Sequence, residues 1–190
     1  GMNGGGEGMN AGAAGAGNRG ECDNEGNRNG TNMSTALSII EMCYGDTGLL
    51  LSMPRQGLGN SAIAAVANDE QLERFKGTWA AMAITESGCG SDSAAIRTTA
   101  IKDGDDYILN GEKIFVTSGE RADSVVVWAT LDKKLGRAAI KSFVVPKGTE
   151  GMKVERLEHK LGIKASDTAV ISFIDCRVPA ANLLGNAEVD

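Results

Sequence analysis

Histidine, proline and aromatic residues are scarce in this sequence: one His, three Pro, and 4% Phe, Trp and Tyr together. With His159 alone and no C-x-x-C pair among Cys22, Cys43, Cys89 and Cys176, there is no dense ligand cluster for zinc. The four cysteines are expected to be free thiols in a reducing compartment. No apolar run approaches the ~20 residues that a membrane span needs. The N-terminus has no apolar core of a secretory signal and no Arg-rich amphipathic stretch of a transit peptide, so a cytoplasmic location is expected. Basic residues are outnumbered, 19 Lys and Arg against 25 Asp and Glu, for a net charge of −6. That excludes the basic footprint of non-specific nucleic-acid binding. It leaves room for a phosphate-bearing ligand, because backbone N–H groups hold phosphate without net positive charge.

Residues 1–30 contain no Leu, Ile, Val, Phe, Tyr or Trp. Such a stretch buries almost nothing against a backbone ordering cost of about 1–2 kcal/mol per residue. Residues 1–33 are therefore expected to be a disordered Gly/Asn-rich tail. Gly15-Ala16-Gly17-Asn18-Arg19-Gly20 fits G-x-G-x-x-G. The dinucleotide fingerprint needs a strand before it and a helix after it, and both flanks here are Gly/Asn-rich, so the match is read as chance.

Residues 34–77 carry helical patterning. Leu37, Ile40 and Tyr44 recur at helical spacing, with Gly45-Asp46 as a stop. A second helix is expected from about Thr47 to Val66, interrupted by Pro54, Gly57 and Gly59. Asn68-Asp69-Glu70-Gln71 predicts an N-cap with Gln at N3. After Gly77 the period changes to two. Strands are expected at Thr78–Thr85, Thr98–Lys102, Tyr107–Leu109, Lys113–Thr117, Ser124–Thr130, Ile140–Val145, Met152–Arg156 and Thr168–Ile174, with turns at Asp103-Gly104 and Asn110-Gly111. The expected class is α+β: a partial N-terminal helical domain, then an antiparallel β-barrel or sandwich over residues 78–185.

Two stretches could carry chemistry. Met82-Ala83-Ile84-Thr85-Glu86-Ser87-Gly88-Cys89-Gly90-Ser91-Asp92 ends a strand and runs into glycines and hydroxyls. Glycines allow close backbone approach and present N–H donors, which suits a flat heterocycle with a pyrophosphate; a ligand-free polar loop is the alternative. Asn110-Gly111-Glu112-Lys113-Ile114-Phe115-Val116-Thr117-Ser118-Gly119 is a strand on which alternation puts Phe115 and Thr117 on one face. An aromatic and a hydroxyl together could stack on and hydrogen-bond a planar ring, although alternation alone makes Phe115 a core residue more often than a cofactor contact.

Taken together and in this order, "AMAITESGCGSD" and "NGEKIFVTSG" closely resemble the two flavin motifs of acyl-CoA dehydrogenases. "YGDTGLLLSM" with "NDEQLERF" resembles the end of that family's N-terminal helical domain, and "LEHKLGIKASDTAVISFIDCRVPAANLLG" the end of its middle domain. The resemblance covers roughly Ser34 to Gly185. It implies FAD as cofactor, with Met82, Ile84, Thr85, Phe115, Val116 and Thr117 against the isoalloxazine. Gly90 and Ser91 would lie by the pyrophosphate, and Ser91 would also touch the CoA part of the substrate. Two positions depart from the family pattern: Ser87 stands where a proline is frequent, and Phe115 where many members carry Trp. Phe keeps a stacking face and loses the indole N–H.

The implied reaction oxidises an acyl-CoA thioester at Cα–Cβ to the 2-enoyl-CoA, by α-proton abstraction and hydride transfer to FAD. No residue matches the family's base, which is expected in a C-terminal helical domain absent from this sequence, with residues 186–190 starting the linker to it. Glu86 is expected to be structural. The resemblance further implies an electron-transfer flavoprotein as acceptor, a homotetrameric whole enzyme, and a fragment inactive by itself. An oxidase using O₂, a non-catalytic flavin- or CoA-binding module, and a structural β domain with an empty groove are the alternatives.

Overall fold

The computed structural model describes residues 31–53 and 58–187. The Gly/Asn-rich stretch, its G-x-G-x-x-G match, Cys22, Pro54 and Gly57 lie outside them. Three helices come first: α1 (Thr31–Ser52), α2 (Leu58–Val66) and α3 (Asp69–Arg74). α1 is broken at Asp46, which is extended (φ −165°, ψ 114°). The Asp46 carboxylate accepts a 2.8 Å bond from Leu49 N, capping the turn that follows, so the expected stop at Gly45-Asp46 is a break between two helical pieces. α3 carries the expected capping box: the Asn68 side chain accepts from Gln71 N at 2.9 Å, and Gln71 Oε1 accepts from Asn68 N at 3.2 Å. Among the described residues of α1, Leu37, Ile40 and Tyr44 remain exposed, so this stripe has no partner here.

Seven strands follow: β1 (Ala80–Ala83), β2 (Thr99–Asp103), β3 (Asp106–Thr117), β4 (Ser124–Thr130), β5 (Ile140–Pro146), β6 (Met152–Leu157) and β7 (Thr168–Pro179). The sheet runs β1-β4-β2-β3-β7-β6, with β5 on β4. It is mixed rather than wholly antiparallel. β1 pairs β4 in parallel, Ala80 opposite Ser124 through Ala83 opposite Val127, and Thr99 of β2 meets Thr130 of β4 in parallel. The β2–β3, β3–β7, β4–β5 and β6–β7 pairings are antiparallel. A parallel neighbour needs a long crossover, here the loop, hairpin and β3 between β1 and β4, which alternation within single strands does not reveal. The hairpin at Asp103 forms as expected, with Asp103 opposite Asp106. Asn110-Gly111 is not a turn: β3 continues through it with a register shift against β7. Gly111 has φ +155°, and a Cβ there would lie 2.4 Å from Thr98 Oγ1, so the glycine makes a bulge that lets Thr98 in.

The apolar run Val125–Val127 is buried on both faces. Val125 and Val127 join Leu109, Val116, Phe143 and Phe173 inside the curl of the sheet. Val126 packs outward with Ala80, Val144 and Leu184 against Ile63 of α2. α2 lies very close to β1: a Cβ on Gly59 would sit 2.3 Å from the Ala81 carbonyl oxygen. Asn60 fixes the approach, donating to Thr78 O at 2.6 Å and accepting from Ala80 N at 3.0 Å.

Candidate cofactor groove

β1 ends at Ala83, but the chain stays beside β3, because Ile114 N donates to Thr85 O at 2.9 Å. A groove of about 440 Å³ opens along this seam. Met82, Ile84, Thr85 and Gly90 form one wall, and Phe115 and Thr117 form the other. Two stretches about thirty residues apart in sequence thus meet in one site by the pairing of their backbones. Leu51 at the end of α1 and Leu58 at the start of α2 close the groove from the helical side, and Ser93, Ile114 and Ser118 complete the lining. The sequence singles out none of these five as a contact, though Ile114 and Ser118 fall inside the second motif, Ser93 directly follows the first, and Leu51 belongs to the YGDTGLLLSM segment.

Phe115 and Thr117 share the groove as alternation expects, and a bulge turns them out of the face that buried Lys113 takes. The register against β7 shifts between Lys113 and Val116, and Phe115 takes φ +57°. A side chain in that left-handed region costs roughly 1–2 kcal/mol. The shift sends Val116 into the core, fully buried, while Phe115 stays 60% exposed. Val116 therefore has only its backbone to offer a ligand. Ser91 is exposed, one residue beyond the Gly90 rim.

The carboxylate of Glu86 lies under the groove. It accepts from Arg97 N (2.7 Å), Thr98 N (2.9 Å), Thr98 Oγ1 (2.6 Å) and Lys113 Nζ (2.8 Å). Lys113 is completely buried and also donates to Ile84 O at 2.9 Å. Burial alone would raise the Glu86 pKa; the Lys113 ammonium, the Thr98 hydroxyl and the two backbone N–H groups outweigh it and hold the carboxyl below its ordinary value. Burial pulls Lys113 down, and Glu86 offsets part of that. Four donors thus hold the Glu86 carboxylate, three of them on Oε1, and its side chain is not part of the groove lining. No carboxylate lines the groove among the described residues.

The walls fit a flavin. The volume falls in the range of about 300–1,000 Å³ typical of small-molecule sites. The walls are apolar at Met82, Ile84 and Phe115, as a flat aromatic ring system requires. Thr85 and Thr117 add hydroxyls to the lining. At Gly88 and Gly90 an added Cβ would meet nothing within 4 Å, so the loop presents open backbone where a phosphate could approach. Among the described residues no group of His, Cys, Asp and Glu could hold a metal, and no helix is long and apolar enough to cross a membrane.

Residues 81–176 match the family model described as acyl-CoA dehydrogenase, middle domain. The chain is similar to acryloyl-CoA reductase (NADH) of Anaerotignum propionicum, 46% identical over 132 residues, covering 65% of this chain and 34% of that protein. It is similar in structure to butyryl-CoA dehydrogenase of Megasphaera elsdenii, with TM-score 0.74 and 34% identity over 81% of this chain and 42% of that one. A glutaryl-CoA dehydrogenase of Mycobacterium smegmatis in complex with FADH2 matches with TM-score 0.70 and 31% identity, over 82% of this chain and 41% of that one. The chain thus spans between 34% and 42% of the length of these proteins.

Proposed function

The chain belongs to the acyl-CoA dehydrogenase family, and on that premise we propose that its groove holds the isoalloxazine of FAD in an enzyme that oxidises an acyl-CoA thioester at Cα–Cβ to the 2-enoyl-CoA. The observation that carries this reading is the meeting of Met82, Ile84 and Thr85 with Phe115 and Thr117 across one groove. When bound, FAD supplies a two-electron acceptor for the β-hydrogen. The chain's own part is to bind, orient and exclude water. Met82, Ile84 and Phe115 cover the ring faces, and Thr85 and Thr117 offer hydroxyls to its polar edge. Gly90 and Ser91 take the pyrophosphate, with Ser91 extending to the CoA portion, and Val116 contributes through its backbone alone. Glu86 is held by four donors and no carboxylate lines the groove among the described residues, so neither wall supplies the acceptor of the α-proton in this reading. An electron-transfer flavoprotein as acceptor and a homotetrameric whole enzyme go with this reading; an oxidase would instead release H₂O₂ steadily.

A second reading has the same site run in the opposite direction, reducing a 2-enoyl-CoA. The 46% identity to acryloyl-CoA reductase (NADH) favours it. One experiment tests both readings: FAD titration of the full-length protein followed by anaerobic addition of butyryl-CoA, and of acryloyl-CoA to the reduced protein. Saturable FAD binding weakened in Thr85→Val, with bleaching by the saturated thioester, supports the dehydrogenase. Reoxidation by the enoyl thioester without bleaching by the saturated one supports the reductase. Failure of the full-length protein to bind FAD refutes both.

A further inference from the structure

The two walls of the groove come from separate strands, and among the described residues a small set of bonds ties them together. The backbone bond from Ile114 N to Thr85 O is one. The others converge on Lys113. Its ammonium leaves β3 one residue before Ile114 and reaches across to the Ile84 carbonyl and to Glu86 Oε1. Glu86 in turn gathers the far end of the loop, through Arg97 N, Thr98 N and Thr98 Oγ1. Residues 84–98, which carry Thr85, Gly90, Ser91 and Ser93, are thereby closed at both ends on one carboxylate. The titratable groups facing Glu86 are Lys113, from β3, and the Cys89 thiol, from its own turn, at 3.9 Å; Arg97 touches it through the backbone. The pair's side chains are 0% and 9% exposed, so water cannot replace either partner.

We propose that Lys113 and Glu86 are positioning residues for the FAD groove, a buried ion pair whose charge balance keeps the loop between its two walls closed and dry. The proposal rests on the reading of the groove as a flavin site. Removing Lys113 leaves an uncompensated carboxylate inside the fold, and the loop relaxes either by opening to water or by protonation of Glu86. Protonation restores a neutral interior, so the defect of Lys113→Met is repaired by acid. Removing both charges leaves no buried charge to relax, so the loop stays closed.

The test is FAD titration by flavin fluorescence on full-length wild type, Lys113→Met, Glu86→Gln and the double variant, at several pH values, with the thermal midpoint of each apoprotein measured alongside. Lys113→Met is expected to bind FAD about tenfold more weakly at neutral pH, the size of a coupled pair interaction expressed as affinity. Its affinity should improve as pH falls while that of the wild type does not, and the double variant should recover most of the loss. Unchanged FAD affinity in Lys113→Met, with only a lowered midpoint, overturns the proposal and leaves the flavin reading intact. If Lys113→Met does not fold, the double variant decides: wild-type affinity supports a pair that matters by its charge balance, and a tenfold loss without pH dependence overturns that. Wild type that does not bind FAD removes the flavin reading and this proposal with it.

Discussion

Replacing Gly59 with alanine sets two effects of opposite sign against each other. Gly59 is the second residue of α2, where alanine is favoured over glycine by at most about 0.8–1 kcal/mol of helix propensity. Against this, a Cβ would stand 2.3 Å from the Ala81 carbonyl oxygen, 2.6 Å from that of Ala80 and 2.7 Å from the Ala80 carbonyl carbon. These are backbone atoms of a strand buried between β4 and the helices, and no side chain can rotate away. To reach ordinary contact, α2 must back off β1 by about 1 Å. Overpacking of this kind costs roughly 1–3 kcal/mol, and contact with backbone argues for the upper end. The net loss is about 2 kcal/mol, a fall in midpoint of roughly 4–8 °C for a chain of this size. Thermal unfolding followed by circular dichroism checks it, with Gly45→Ala as control. Gly45 ends the first helical piece of α1 with nothing within 4 Å of its Cβ position, so the same substitution there meets no clash and should stabilise by at most about 0.5 kcal/mol. Because Leu58 lines the groove beside Gly59, FAD binding should weaken in Gly59→Ala and not in Gly45→Ala. A Gly59→Ala protein as stable as wild type would refute the close-packing argument.

Asn68→Ala removes the acceptor for Gln71 N and should cost about 1 kcal/mol in urea unfolding, while Asn68→Asp retains most of it. The folded pKa of Glu86 lies below its unfolded value of 4.5, so its stabilisation is complete above that pH and is lost as pH falls through the folded pKa. Urea unfolding between about pH 6 and pH 3 should therefore lose stability more steeply in wild type than in Glu86→Gln, and parallel curves would count against the network. Burial pushes the Cys176 thiol up from 9.0 to about 11, which contributes stability present below pH 9 and lost as pH rises through about 11. Native protein should thus leave Cys176 unalkylated by iodoacetamide at pH 8 while half-buried Cys43 reacts; mass spectrometry of the labelled peptides distinguishes them.

What the sequence determined by itself is the local structure and the residue types of the site. The capping box at Asn68, the hairpin at Asp103 and the doubly buried run Val125–Val127 depend on residues within a few positions of one another, so spacing and chemistry suffice to read them. The two candidate motifs supplied most of the groove's side chains for the same reason: each is one short continuous stretch. Tertiary structure decided what depends on distant partners. The parallel pairing of β1 with β4 is fixed by a shared core and not by either strand's own pattern. Asn-Gly at 110–111 has the chemistry of a turn and serves as a bulge, because β7 continues to pair beyond it and Thr98 occupies the space a side chain would need. Phe115 and Thr117 share the groove as alternation expects, but the second bulge, between Lys113 and Val116, decides which way they face: it lets Lys113 and Val116 both turn inward, at the cost of a strained backbone at Phe115. Lys113 and Glu86, 27 residues apart, look like two surface charges until the fold removes water from both, and each then becomes the other's charge partner, with Arg97 N, Thr98 and Ile84 O completing their hydrogen bonds.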